Sequence, residues 1–313
     1  MYTIGIDLGG TIIKIGLLRN GKICDFLSLE ATSPKGLASK MQKIHNEIDK
    51  ILEKFHVEKN KIQGIGLAFP GIVDPVKSKV ISTNKKYDDA CYINLPKWVY
   101  KNWGVDFYID NDARMATVGE WQKGAGKGLN NIVMMTLGTG IGTGVIIDGK
   151  PLYGKHFQAG SLGGHFVVDY RGRNCSCRNT GCVEAHSSSF FLPKIIAEHQ
   201  ELSDKFKEKA IKYDFKKLFE IYAEGNPDAI LLLNECMDVW AAAIVTYIHA
   251  YDPEMVIVGG GVSRNSEIIF KYIEKKIHER VWSSSAKVPV IEAALGDHAA
   301  LFGLDYFLNK NNV

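Results

Sequence analysis

The sequence Tyr2-Thr-Ile-Gly-Ile-Asp-Leu-Gly-Gly-Thr-Ile-Ile-Lys-Ile-Gly-Leu-Leu18 decides the fold of this chain. Its two β-rich halves predict strands at 2–7 and 12–18, joined by a glycine turn that contains Gly9, Gly10 and Thr11. Backbone amides and the threonine hydroxyl of such a turn can bind an anion, and Asp7 can hold a metal-bound phosphate through water. An ordinary tight turn is the alternative interpretation, and this turn alone does not decide between them.

The same pattern occurs a second time in the middle of the chain. A predicted strand at 131–136 leads into Leu137-Gly-Thr-Gly-Ile-Gly-Thr-Gly144, and another strand follows at 145–147. Because strands flank this loop on both sides, it is neither a Walker loop nor a Rossmann fingerprint, each of which opens a helix. Two hairpins that hold one triphosphate are typical of an actin-like nucleotide clamp. The loop residues expected to contact it are Gly138, Thr139 and Gly140.

Two further segments end predicted strands. Gly260 and Gly261 follow an apolar strand at 255–258, where glycine allows a base or ribose to approach the backbone, although a simple strand-to-helix turn is the alternative. Asp112 follows a strand at 106–109 and precedes a helix at 113–123, so it is the candidate general base. Asp110 or Asn111 could cap the same helix.

Composition narrows the functional classes. With 313 residues, the chain is long enough for two domains, and its 38 basic and 35 acidic side chains give a net charge of only +3. Since no basic run reaches the length of a nucleic-acid arm, nucleic acid is not an expected partner. Neither a leader nor a membrane span is predicted, which favours a cytoplasmic protein with no membrane partner.

A cluster of metal-ligand residue types lies in the second half. Cys175, Cys177 and Cys182 fall within eight residues, and His165 precedes them by ten positions. One imidazole and three thiols are a ligand set of structural zinc, whereas three reduced thiols in a glycine-rich loop are the alternative. Glu184 cannot be a fifth ligand of a tetrahedral site, so its carboxylate is predicted to contact a substrate.

The motifs together resemble the ROK family over nearly the whole chain. They are D-L-G-G-T from 7, A-F-P-G-I-V-D from 68, I-D-N-D-A from 109, L-G-T-G-I-G-T-G from 137, and H…C-x-C-x-x-x-x-C-x-E. That family contains bacterial sugar kinases, including glucokinases, fructokinases and N-acetylmannosamine kinases, and repressors with an added helix-turn-helix. Because the chain begins at the first strand, we expect a kinase.

The resemblance implies a two-domain α/β protein with the actin-like ATPase (ribonuclease H-like) fold of sugar kinases. The expected domains are a small one, 1–112 with about 300–313, and a larger one, 113–299, that carries the zinc-binding loop. ATP, Mg²⁺ and structural Zn²⁺ are the implied cofactors, a sugar is the implied substrate, and a homodimer is the implied assembly.

Site residues are carried over by position. Asp112 resembles the catalytic base, Asn111 and Glu184 resemble sugar contacts, and His165 resembles a residue that is both a zinc ligand and a sugar neighbour. Gly71 is assigned to the substrate site. Asp7, Gly9, Gly10, Thr11 and Lys14 are assigned to the nucleotide, together with the glycines and threonine of the later loops.

Three segments depart from the family pattern. The family motif A-G-E-x-G-H is replaced by Ala159-Gly-Ser-Leu-Gly-Gly-His165, which lacks the sugar-binding glutamate; Ser161 or Leu162 takes its place. Residues 84–94 differ from the usual glycine-tryptophan lid, and Arg114 stands where asparagine is common.

The expected function is ATP-dependent phosphorylation of a hexose. A catalytically decayed sugar sensor is the alternative, and a filament-forming ATPase leaves the cysteine cluster unexplained.

Overall fold

Two five-stranded mixed sheets organise the structure, a computed structural model that describes residues 1–83, 85–264, 266–282 and 287–310. The strands are β1 Tyr2–Leu8, β2 Ile12–Arg19, β3 Lys22–Glu30, β4 Ile62–Phe69, β5 Ile72–Asp74, β6 Lys79–Ser82, β7 Asp106–Asn111, β8 Ile132–Leu137, β9 Ile141–Ile147, β10 Lys150–Pro151, β11 Met255–Gly259 and β12 Val290–Glu292. The helices are α1 Ala38–Lys54, α2 Leu95–Trp103, α3 Asp112–Lys123, α4 Val183–Ser187, α5 Leu192–Glu198, α6 Asp204–Lys207, α7 Phe215–Ala223, α8 Pro227–Tyr251, α9 Ser266–Arg280 and α10 Ala299–Lys310.

The first sheet has the order β3-β2-β1-β4-β7. Strand β1 is antiparallel to β2 and parallel to β4, which is in turn parallel to β7. Helix α10 packs on β1, β4 and α3, so the end of the chain covers the sheet that its beginning forms. The carboxyl ends of β1, β4 and β7 therefore lie along one sheet edge, where open α/β sheets bind ligands.

The second sheet repeats this arrangement with the order β10-β9-β8-β11-β12. Strand β8 is antiparallel to β9 and parallel to β11, which pairs in parallel with β12. In each sheet, the strands on either side of one of the two glycine loops pair with each other, and two further strands run parallel to the first of them. The repeated strand–glycine turn–strand pattern of the sequence thus lies at the same place in both sheets.

Helix α8 is the long helix of the second sheet's unit. Its length and hydropathy would allow it to cross a membrane, but half of its most apolar window is buried inside the fold. It packs against α4, α7 and α9, and Trp240 donates a hydrogen bond to the Ser187 carbonyl at 3.2 Å. The apolar sequence of residues 228–250 predicts a buried helix, and the structure confirms it.

Contacts between Cα atoms divide the chain into two compact units. The first comprises Met1–Gly128, Pro151–Gly160 and Asp297–Val313, and the second comprises Leu129–Lys150 and Ser161–Gly296. The domain boundary expected after Asp112 stays a prediction. Asn84, at the start of the segment that departs from the family pattern, and residues 311–313 at the predicted C-terminal part of the small domain lie outside the described residues.

Two local predictions need correction. Residues 141–144, expected in the second glycine loop, belong to β9, and the turn is confined to residues 138–140 because Ile141 already pairs with Leu137. The hydrophobic pattern also did not predict β3 or β12. These are edge strands with half-exposed or exposed side chains, so their sequences lack a strong apolar alternation.

Candidate functional site

The carboxyl end of β7 places three polar residues in sequence in the first unit. Asn111 is the N-cap of α3, because its Oδ1 accepts a hydrogen bond from Arg114 N at 2.9 Å. Its Nδ2 donates to the Gly71 carbonyl and to Asp112 Oδ1, both at 3.1 Å. Asn111, one of the two cap candidates, thus fixes Asp112 and Gly71 relative to the strand end.

Asp110 has a structural environment. Its side chain is 0% exposed and accepts hydrogen bonds from Tyr108 (3.0 Å), Tyr153 (2.8 Å) and Arg114 Nη1 (2.7 Å). Arg114, itself 1% exposed, also donates to the carbonyls of Phe157 and Ala159. Both carboxylate oxygens of Asp110 are therefore occupied by protein donors, which gives this residue a structural role.

Asp112 has the opposite character. It is the first residue of α3, and its Oδ1 also accepts a hydrogen bond from Ala113 N at 2.8 Å. Burial, and then the nearby Asp7 carboxylate, raise the pKa of Asp112 to about 6, although the positive charge of Lys86 lowers it. A carboxyl group with a pKa near neutrality can accept a proton at physiological pH and is suited to general-base chemistry.

The first glycine turn joins β1 to β2. Gly9 N donates to the Asp7 carbonyl at 3.2 Å, and a side chain on Gly9 would clash with the Ile12 carbonyl, 2.4 Å away. Thr11 is exposed at the turn. Glycine is therefore required for the tight turn, which leaves the amides and hydroxyl of its tip available to an anion.

Lys14 lies between two carboxylates rather than free at this turn. Its Nζ is 3.4 Å from Asp7 Oδ2 and 3.0 Å from Asp297 Oδ1. The two carboxylates raise the pKa of Lys14 against the opposing effect of burial, and burial raises the pKa of Asp7 despite Lys14. The lysine assigned to the nucleotide from the sequence is thus part of an acid–base cluster in this structure.

Gly71 occupies the turn between β4 and β5. A Cβ at this position would lie 2.2 Å from the Ser82 carbonyl, so no larger residue fits without moving the backbone. Its own carbonyl is the acceptor for Asn111 Nδ2. Gly71 therefore contacts Asn111 through its backbone carbonyl.

The second unit brings the second glycine turn next to Glu184. Gly138 N donates to the Gly140 carbonyl at 3.1 Å, and Ile141 N donates to Glu184 Oε2 at 3.0 Å. A Cβ on Gly140 would lie 2.4 Å from the same oxygen. Backbone amides at 189 and 190 donate to the carbonyls of Gly138 and Thr139. Glu184 is thus a buried carboxylate against the turn, on α4, two residues after Cys182.

The predicted metal ligands converge in the second unit. One donor atom each from His165, Cys175, Cys177 and Cys182 lies within 4.8 Å of the others. His165 Nδ1 is 3.6 Å from Cys175 Sγ, and Cys177 Sγ is 3.6 Å from Cys182 Sγ. A tetrahedral zinc ion with ordinary bond lengths places its ligand atoms about 3.6–3.8 Å apart. The chemistry and spacing of this donor set therefore fit zinc.

The third glycine segment follows β11. Gly260 has φ +95°, and a Cβ there would lie 2.3 Å from the Leu137 carbonyl at the start of the second turn. Around Gly261, by contrast, a Cβ would meet no described atom within 4 Å. Gly260 therefore permits close packing of backbone on backbone, and Gly261 leaves space beside it.

Sequence motifs did not identify two charged residues near the first glycine turn. Asp297 comes from the start of the C-terminal segment and pairs with Lys14. Lys86 comes from the segment that departs from the family pattern, and its side chain crosses the face of Gly10. For Lys86 the only signal in the sequence was its place in this unusual segment, and Asp297 had none. Folding of the chain brings both residues to the turn from distant positions.

Comparison with known proteins defines the family. The sequence matches the ROK family over residues 3–311. It is 32% identical to a glucokinase from Thermotoga maritima over 307 residues, covering 96% of this chain and 95% of that protein. It is 27% identical to a xylose repressor from Bacillus subtilis over 322 residues, covering 98% of this chain and 78% of the repressor. The chain belongs to the ROK family.

A solved structure supports the fold assignment. The glucokinase from Streptomyces griseus, determined in complex with glucose and AMPPNP, superposes with a TM-score of 0.84 at 26% identity. The alignment covers 99% of this chain and 100% of that chain. The protein has the actin-like ATPase fold of ROK sugar kinases, as the sequence resemblance predicted.

Proposed function

We propose that the protein is an ATP-dependent hexose kinase in which Asp112 is the general base. The observation that carries this proposal is the pair of aspartates at the end of β7. Asp110 is saturated by buried donors, whereas Asp112 has a pKa of about 6 and lies at the edge of the sheet next to the Gly71 turn. The similarity to two glucokinases, one of them solved with glucose and AMPPNP, supports a sugar and ATP as the substrates.

In the proposed reaction, Asp112 accepts the proton of a sugar hydroxyl as the hydroxyl oxygen attacks the γ-phosphorus of ATP. The oxygen–phosphorus bond to the sugar forms while the bond to the β-phosphate oxygen breaks, and ADP leaves. The remaining amides of the two glycine turns, at Gly10 and Thr11 and at Thr139 and Gly140, are proposed to hold phosphate oxygens. Asp7 would hold Mg²⁺ through water, and the ion would neutralise phosphate charge.

Sugar recognition is proposed for residues of each unit. Asn111 and the turn at Gly71 lie beside Asp112 and offer amide and carbonyl groups to sugar hydroxyls. Glu184 offers a buried carboxylate, of which Oε2 already accepts the Ile141 amide. Because Nδ1 of His165 faces the Cys175 thiol, Nε2 is the ring atom that can form a hydrogen bond with a sugar hydroxyl.

Zinc is proposed as a structural ion held by His165, Cys175, Cys177 and Cys182. Its chemical contribution would be to crosslink the loop between His165 and Glu184. We assign it no role in proton or phosphoryl transfer, because four protein ligands complete a tetrahedral site. His165 and Glu184 would then contact the sugar from a backbone that the ion holds in place.

A coupled ADP-release assay over hexoses and N-acetylhexosamines tests the function. We expect turnover with at least one sugar, and the isosteric Asp112→Asn variant should lower kcat by about 100- to 10,000-fold while sugar binding is retained. Asp106→Asn, at the exposed start of the same strand, is the matched control. Wild-type rates in Asp112→Asn would show that another group is the base.

The same assay addresses a sugar sensor, the alternative that the altered segment before His165 and the similarity to a xylose repressor keep open. A sensor would release no ADP with any sugar, yet one sugar would raise its thermal unfolding midpoint. That combination would replace the kinase proposal.

A further inference from the structure

Lys86 lies at the first glycine turn but takes part in no motif. A Cβ placed on Gly10 would lie 3.3 Å from Lys86 Cε and 3.5 Å from Lys86 Nζ, so the side chain runs across the face of the turn. The ammonium is also near enough to Asp112 for its charge to lower the pKa of that carboxyl. Lys86 therefore stands within reach of both the candidate phosphate site and the candidate base.

The backbone around Lys86 is held in an uncommon conformation. Lys85 and Tyr87, on either side of it, have φ values of +63° and +56°, in the left-handed region that side chains other than glycine seldom adopt. Such conformations cost free energy and persist where the surrounding structure enforces them, often at functional sites. The backbone at these two positions, and not the exposed Lys85 side chain, orients the lysine between them.

The enforcing contacts come from the glycine turn itself. Tyr87 is fully buried, and its hydroxyl donates to the Gly9 carbonyl at 2.9 Å. Tyr87 N donates to the Ser33 carbonyl, and the Ser33 hydroxyl donates to the Gly10 carbonyl at 3.0 Å. The segment that carries Lys86 is thus tied to the two glycines over which the lysine extends.

Two lysines lie at the first glycine turn, and the ammonium of Lys86 is the one that is available to a ligand. Lys14 is engaged by Asp7 and Asp297. Within the part of the chain that the structure describes, no hydrogen bond or salt bridge holds the Lys86 ammonium. Asp7 and Asp112 together place negative charge where a phosphoryl group would also be negative, so a cation is needed there.

We infer that Lys86 is a further catalytic residue, whose ammonium binds the phosphoryl group during its transfer beside Gly10. The inference rests on the proposed kinase function. In the transfer step the proton of the sugar hydroxyl goes to Asp112, and the oxygen–phosphorus bond to ADP breaks as the new one forms. The attraction between the lysine ammonium and the phosphoryl oxygens is stronger in the transition state than in the complex with bound sugar alone.

The test compares Lys86→Met, which removes the charge at similar length, with Lys86→Arg, which keeps it. Lys85→Met is the matched control, since Lys85 is an exposed neighbour in the same turn. We expect Lys86→Met to lower kcat by about 100-fold or more with little change in the sugar KM, and Lys86→Arg to recover to within about tenfold of wild type. A wild-type kcat in Lys86→Met would overturn the inference. So would an equal loss of kcat in Lys86→Met and Lys86→Arg that is accompanied by a lower thermal unfolding midpoint.

A binding measurement separates this inference from the kinase proposal. Calorimetry with ADP and with the β,γ-imido analogue of ATP should show that Lys86→Met weakens the analogue about tenfold more than ADP. If wild-type protein phosphorylates no sugar, the kinase proposal fails, and this comparison still decides the role of Lys86. Equal weakening of both nucleotides, or none, would contradict it.

Discussion

Two aspartates, separated by one residue on the same strand end, differ in function because their neighbours differ. Asp110 is buried, and an arginine and two tyrosine hydroxyls donate hydrogen bonds to its carboxylate. Asp112 is near a second carboxylate, and burial penalises its charge. The residue types alone do not distinguish them, whereas their surroundings assign one to structure and make the other a base candidate.

The raised pKa of Asp112 predicts the acidic limb of the pH–rate profile. A base with a folded-state pKa of about 6 is ionised above that pH and protonated below it, so kcat/KM should fall as the pH decreases through about 6. In Lys86→Met the limb should move to higher pH, since the lysine charge lowers this pKa. A profile measured with the Lys85→Met control should match wild type. A flat profile down to pH 4.5 would contradict the assignment of the base.

At the residue scale, sequence motifs identified the candidates that lie close together along the chain. Asn111, Asp112 and the three cysteines were found because their spacing is local. Lys86 and Asp297 were not, because they reach the first glycine turn only through folding of distant segments. The environment of Arg114, likewise, depends on carbonyls more than 40 residues away.

Among the elements, α3 and α10 cross at very short distance through two glycines. A Cβ on Gly119 of α3 would lie 1.9 Å from the Ala299 carbonyl, and one on Gly303 of α10 would lie 2.1 Å from the Met115 carbonyl. Each helix thus places a glycine against the other's backbone. This contact fixes α3, whose first residue is Asp112.

Gly303→Ala should therefore destabilise the first unit by about 2–3 kcal/mol, because the new methyl group must separate the two helices. Urea unfolding gives the free energy change, and Lys310→Ala on the exposed end of α10 is the control, expected within about 0.5 kcal/mol of wild type. An unchanged unfolding midpoint for Gly303→Ala would show that the helices can move apart at no cost.

The loop with the cysteines allows a second test at this scale. We expect purified protein to contain about one zinc ion per chain by mass spectrometry of metals, and Cys177→Ser to lose it along with part of its thermal stability. Cys91→Ser, outside the cluster, is the control and should keep the metal. Full zinc content in Cys177→Ser would remove that residue from the ligand set.

Elements with a strong pattern were predictable, and those at sheet edges were not. The long helix at 228–250 and the strands of the two hairpins have clear periodicity and were found. Strands β3 and β12 are half-exposed, so neither a buried run nor a clean alternation marks them. The end of the second glycine loop was misplaced because its alternate glycines also fit the β9 ladder.

For the whole molecule, repetition was the informative property of the sequence. The sequence predicted two glycine hairpins, and the structure adds that each belongs to a five-stranded sheet, with the strand orders β3-β2-β1-β4-β7 and β10-β9-β8-β11-β12. The identity of the sugar, the oligomeric state and the cellular compartment have no such signature, and the predictions of a homodimer and of a cytoplasmic location stay predictions.

The C-terminal helix has a consequence for synthesis on the ribosome. In the first unit, Leu301, Leu304 and Leu308 of α10 lie against glycines of β1, β2 and β4, so the last element made covers the first sheet made. At about 5–20 residues per second, roughly ten seconds or more separate the emergence of the sheet from that of the helix. During this interval the nascent sheet exposes an apolar face to solvent or chaperones. A chain broken off before residue 299 would therefore be a substrate for proteolysis.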